Sequence, residues 1–213
     1  MELKKLILIG GGGHCNACID VINEIKEYNI QGILEREKST EIINSVPIIG
    51  TDDEIDHLAT SGNHFLITVG QLKNNDIRVR IFKKLSDIKA PIATVISNHS
   101  YVSESAGIGS GTIVMHYSLI NASVVIGNNC IINTKSLVEH DCNIGNHTHI
   151  STGAIINGTC NIGSNCFVGS GVVVKNNITI TDNVILGAGA IVTKNIEQPG
   201  TYIGAPATKI SDE

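Results

Sequence analysis

The chain has 213 residues, a net charge of −5, 42% hydrophobic and 16% charged residues. That balance excludes a disordered chain, and its acidic sign argues against a dedicated nucleic-acid binder. No apolar run approaches the roughly 20 residues that span a bilayer. The apolar stretch before Gly10 is too short for a signal peptide, so the expected compartment is the cytoplasm.

In chain order, Lys5–Ile9 reads as a buried strand, and Gly10-Gly11-Gly12-Gly13-His14 leads into a helix reaching about Tyr28. A strand near Gln31–Leu34, a helix near Asp52–Ala59, a strand at Phe65–Val69, a helix at about Asn75–Ile88 and a strand into Val95 follow. Such alternation predicts a small Rossmann-like α/β unit with a parallel sheet, its ligand beyond the carboxyl ends of the strands. The glycine run lets a phosphate reach the backbone and the helix N-terminus; a tight turn alone would also account for it. It is not the dinucleotide fingerprint, because Cys15 stands where the third glycine belongs. His14 either touches a ligand or caps the helix. Cys15 and Cys18 form a C-x-x-C, but a redox or zinc role would need a second pair or a thioredoxin-like setting.

Past Pro91 the composition changes. Residues 1–95 hold 24 charged side chains and residues 96–195 only seven. Every sixth residue from Ile96 to Val192 is aliphatic, seventeen in succession. Four residues after each stands a mostly small or β-branched side chain, among them Cys130, Cys142, Cys160 and Cys166. A six-residue period fits neither a helix nor an ordinary sheet; it is the signature of a parallel β-helix. Three hexapeptides make one triangular coil, with the aliphatic residue inward and Gly or Asn at the corners. The expected organisation is an α/β unit over residues 1–92 and a prism with a C-terminal tail over residues 93–213. The low-charge outer faces predict side-by-side packing of three prisms, a homotrimer with three inter-subunit grooves.

Charges are rare in the prism, so Glu139-His140-Asp141 stands out. One coil away on either side lie Ala122 and Gly158, which leave His140 on an open ledge. A histidine beside a carboxylate, held in one tautomer, is a candidate general base; a solvated outer histidine is the alternative. His147 and His149 follow, but these three histidines fall on different faces, so a zinc site is not expected.

The motifs Gly10–His14, Val69-Gly70 with Arg78 or Arg80, Asn133–Gly145, His149–Ala154 and Gly204–Ala207 together resemble a known family. It is that of the bacterial hexapeptide sugar acetyltransferases, which includes UDP-4-amino-sugar (bacillosamine) N-acetyltransferases and sialic-acid O-acetyltransferases. The resemblance covers essentially the whole chain and implies a left-handed β-helix. It implies acetyl-CoA as co-substrate, no metal, and acetylation of a UDP-linked 4-amino-4,6-dideoxy sugar in bacterial glycan biosynthesis. O-acetylation of a sialic-acid-like sugar is the alternative, and a non-enzymatic or zinc-binding β-helix a more distant one. By the same resemblance, His140 is the base and Asp141 the carboxylate that raises its basicity. Gly12, Gly13, His14, Glu35, Arg36 and Gly70 would hold the nucleotide. His149, Ser170 and Ala188 would line the acetyl-CoA groove. Arg36 departs from the acidic pair usual in the N-acetyltransferases, and Ala188 from a common glycine.

Overall fold

The computed structural model describes residues 3–37, 41–71 and 74–210. The first unit begins with β1 (Lys4–Ile9), α1 (Gly13–Ile25) and β2 (Tyr28–Glu35). Next come β3 (Ile42–Ile43), β4 (Val46–Thr51), a 3₁₀ turn, α2 (Ile55–Thr60), β5 (His64–Ile67) and α3 (Asp76–Asp87). Its sheet runs in the order β3-β4-β2-β1-β5, parallel except at the β3-β4 hairpin. The last four residues of β1 are buried, as the apolar run requires.

Three details differ from the sequence reading. Helix α1 starts at Gly13, so the final glycine and His14 belong to its first turn. The helix stops at Ile25, not near Tyr28, because Lys26 turns left-handed and Tyr28 is taken up by pairing with Lys4. The β3-β4 hairpin was not foreseen. Its signal was Asn44-Ser45, both at positive φ, the pattern of a two-residue hairpin turn.

From Val95 on, the chain winds into a prism of two-residue strands whose partners lie 18 residues apart, as Val138 pairs with Ile156 and Ile120. The first face carries residues 95–96, 113–114, 131–132, 149–150, 167–168 and 184–186. The second carries 101–102, 119–120, 137–138, 155–156, 173–174 and 191–192, and the third 107–108, 125–126, 143–144, 161–162 and 179–180. The second residue of each pair points inward. From Val114 to Val192 these side chains form one continuous core with the four prism cysteines. All six cysteines are free and buried. Ile96, in the first coil with nothing stacked before it, is 36% exposed.

The three faces have different fates. Ile113, Met115 and Ile131 of the first face and its edge share a core with Cys15, Cys18, Ile19 and Ile22 of α1. The third face presents Gly107, Val125, Asn143, Asn161 and Thr179 outward, with Asn143 donating to Asn161 at 3.1 Å. The second face presents Tyr101, Leu119, Leu137, Ile155, Val173 and Ile191 outward; Tyr101 is 58% and Ile191 41% exposed.

Candidate functional site

At the carboxyl end of the first sheet, the glycine run divides into a structural half and an open half. Gly10 sits at φ +101, and a Cβ there would lie 2.4 Å from Val69. A Cβ on Gly11 would strike Ile43 and Glu35. Gly12 and Gly13 have nothing within 4 Å of that position. Gly12 caps α1 with no side-chain bond, and no acidic residue stands in the first turn. The N–H groups there are free of side-chain partners, with the helix dipole behind them, a setting that favours an anion.

The neighbouring side chains complete this end of the sheet. Glu35 accepts the Gly11 N–H at 2.6 Å through Oε2 and the Arg36 N–H at 2.9 Å through Oε1, so its carboxylate braces the loop. Arg36 is exposed and lines a cavity of about 370 Å³ with Gly10, Asp52, Val69, Ile77 and Arg80. Gly70 is exposed beside His14, whose Cβ lies 3.4 Å from where a Gly70 Cβ would be. The His14 Nε2 is buried without a hydrogen-bond partner. Burial and then the Arg78 charge push this imidazole down to about 4, so it is neutral at pH 7.

The prism carries the second region. His140 lies on the corner between the second and third faces. Its Nδ1 is 2.8 Å from Asp141 Oδ2. The carboxylate can only accept, so Nδ1 carries the proton and Nε2 keeps the lone pair. Donating this hydrogen bond to Asp141 raises the imidazole above its ordinary value, with further pushes from the Asp141 charge and then from Glu139. Glu139 itself takes a bond from Asn121 at 2.8 Å and does not bond the ring. The ring lies over Gly158, where a Cβ would come within 2.7 Å of Nε2. The left-handed backbone at Asp141, φ +60, sets the corner that aims both side chains outward.

His149, Ser170 and Ala188 do not form one cluster. His149 is on the first face, 6% exposed, with Nδ1 donating to the Gln71 carbonyl at 3.2 Å. Its Nε2 then accepts from Asn133 Nδ2 at 3.1 Å. Burial holds it down to about 3, so it is a neutral strut. Ser170 and Ala188 are exposed one coil apart on the corner between the first and second faces, beside Gly171 and Gly189. Gly153, Gly171 and Gly189 have open space beyond their Cα atoms, which leaves a bare strip along that corner.

Every described contact between the α/β unit and the prism falls on the first face or its two bounding corners. Examples are Arg78–Asn129, Asn75–Asn165, Gln71–Cys166 and Asp20–His116. His140 sits at the opposite corner of the triangle. One chain therefore does not bring its own His140 and glycine loop together. Among the described residues, no three His, Cys, Asp or Glu side chains are arranged to hold a metal ion.

Sequence reasoning missed Arg78 as the buried arginine, Asn133 and Gln71 as partners of His149, and Asp52 in the cavity wall. The Val69-Gly70…Arg motif left Arg78 and Arg80 equivalent. Only packing separates them, with Arg78 1% exposed and the Arg80 side chain 74% exposed.

Comparison with known proteins gives a consistent picture. The family model of the PglD N-terminal domain matches residues 5–85, and that of bacterial transferase hexapeptide repeats matches residues 159–194. The acetyltransferase domain of PglB from Neisseria gonorrhoeae FA1090, solved with acetyl coenzyme A, is 30% identical. That match covers 98% of this chain and 100% of the other, with a TM-score of 0.90. A histidine-to-asparagine mutant of perosamine N-acetyltransferase from Caulobacter crescentus, solved with CoA and GDP-perosamine, is 27% identical. It covers 99% of each chain at a TM-score of 0.92. WeeI from Acinetobacter baumannii AYE, at 20% identity, 97% and 100% coverage and a TM-score of 0.85, shares the fold. No curated protein sequence matches.

Proposed function

Because the chain belongs to the bacterial hexapeptide sugar acetyltransferases, with their left-handed β-helix, we propose that it N-acetylates a UDP-linked 4-amino-4,6-dideoxy sugar. It is an acetyl-CoA-dependent acyltransferase. The observation that carries the reading is the exposed His140–Asp141 pair, with a free Nε2 and only hydrogen on Gly158 beneath it. Its setting is the cytoplasm, and its product an intermediate of bacterial glycan biosynthesis.

The nucleotide lies at the carboxyl end of the first sheet, its phosphates on Gly12 and Gly13 and the first turn of α1, beside His14, Arg36 and Gly70. Glu35 acts through the loop it braces. The co-substrate runs along the bare strip at Ser170 and Ala188, with His149 as a support from the first face. The apolar second face is covered by two further copies in a homotrimer. In such an assembly the His140 corner of one chain lies beside the strip and glycine loop of the next, which answers the separation within one chain.

His140 Nε2 removes a proton from the sugar amine as nitrogen attacks the thioester carbonyl. The C–N bond forms, the C–S bond breaks, and the imidazolium returns its proton to the departing thiolate. Asp141 stabilises that imidazolium. Both reactants held in one groove convert a two-body step into a local one.

Thiol release from acetyl-CoA tests the proposal, with UDP-4-amino sugar, a GDP-linked amino sugar and free or CMP-linked sialic acid as acceptors. Turnover of the UDP-amino sugar is expected. Turnover of only the GDP-linked sugar would correct the nucleobase, and turnover of only sialic acid would replace N- by O-acetylation.

A further inference from the structure

Arg78 is the largest fully buried side chain outside the chemistry described so far. Its Nη1 donates to the carbonyls of Ile67 at 3.0 Å and Val69 at 2.6 Å. Its Nη2 donates to the Asn129 carbonyl at 3.1 Å and to Asn129 Oδ1 at 2.7 Å. Asn129 returns a bond to the Arg78 carbonyl at 3.3 Å. The Nε is buried with no partner. All four acceptors are neutral, and among the described residues no carboxylate pairs with this guanidinium. A buried cation normally has a counter-ion, because carbonyl dipoles alone repay little of the lost hydration.

The position of this charge explains the omission. Val69, held by Nη1, packs against Gly10, and the next residue, Gly70, packs against His14 in the first turn of α1. The cation is felt there, since it depresses His14. That turn holds no acid.

Resting on the nucleotide-sugar reading, we propose that Arg78 is a positioning residue for the diphosphate of the substrate. Without touching it, Arg78 fixes the Val69–Gly70 segment and supplies a buried charge that only the bound diphosphate neutralises.

Two variants separate charge from scaffolding. Asn129→Asp keeps the oxygen that Nη2 bonds and installs a counter-ion beside the guanidinium, at the loss of the Nδ2 bonds to the Arg78 carbonyl and His147 Nδ1, a structural loss that would weaken nucleoside and diphosphate alike. It should lower affinity for the nucleoside diphosphate about tenfold, leave the plain nucleoside within twofold, and leave kcat at saturation unchanged. Arg78→Lys keeps the charge but loses the fork. It should retain the preference for diphosphate over nucleoside while binding both more weakly. Calorimetry with UDP or GDP against uridine or guanosine reads these ratios, and circular dichroism checks folding. Equal loss of nucleoside and diphosphate in Asn129→Asp, or no loss of either, would overturn the charge role. Wild-type protein that binds nucleoside but gains nothing from the diphosphate would do the same, with the site reading intact. Wild-type protein that binds none of these ligands would overturn the site reading and this inference with it.

Discussion

The glycine-loop end of the α/β unit and the His140 corner of the prism are opposites in build. At the first, His14 is held neutral by burial and Arg78 is fully enclosed. The backbone there is braced by Glu35 and by the Val69 contact. At the second, the His140 and Asp141 side chains are 54% and 58% exposed, joined only to each other. Binding calls for preorganised donors that water cannot reorganise, whereas a proton acceptor must be reached by a partner. The difference supports the proposal that recognition belongs to one region and proton transfer to the other, and the two face apart within a chain.

The most damaging change to this arrangement is in the prism core. Ile144 is 3% exposed, and Ile144→Asp buries a charge with no partner at a cost of several kcal/mol. Thermal melting should show a lost or much lower transition. Wild-type melting would mean that the inward register is wrong.

His140→Ala removes the chemistry and leaves the recognition region untouched. We expect kcat to fall by about 10²–10⁴ with little change in KM for either substrate. A loss below threefold would remove His140 as the base.

Gly13→Val acts on the other region. Its Cβ meets nothing in the protein, so the fold should tolerate it, while the added bulk would meet the phosphates that the proposal places there. KM for the nucleotide sugar should rise on the order of tenfold or more with acetyl-CoA binding kept. Unchanged KM would make the loop a structural turn.

Asp141→Asn sharpens the comparison further with the smallest effect, a loss of kcat weaker than that of His140→Ala. The base works only when neutral, so the acid limb of the pH–rate profile follows the His140 pKa. Asp141 raises that pKa, so Asp141→Asn should move the limb to lower pH. A limb that stays in place would uncouple Asp141 from the base.

The prism was legible because its inward position repeats without interruption from Ile96 to Val192, and periodicity is what sequence displays best. The β3-β4 hairpin was hidden, because β3 has only two residues and β4, with Pro47 and Gly50 in its six, shows no alternation. His140 and Asp141 are adjacent, so their contact could be read directly. Arg78 and Asn129 meet across 51 residues, and Gln71 reaches His149 and Cys166 across 78 and 95, pairings that no local pattern encodes. His149 looked like a surface residue of the co-substrate groove. It is buried because the α/β unit covers the first face, which a prism read alone does not reveal.

The central claim is that recognition and proton transfer in one site come from different chains. Crossed complementation tests it most directly. His140→Ala and Gly13→Val, each weak alone, are co-expressed with two tags and doubly purified, then assayed by thiol release. If each site joins the His140 corner of one chain to the glycine loop of the next, every doubly tagged trimer holds one intact site of its three, and about one third of wild-type activity returns. Activity no higher than the two parents contribute would mean that each chain builds its site alone, contradicting the division between the two regions.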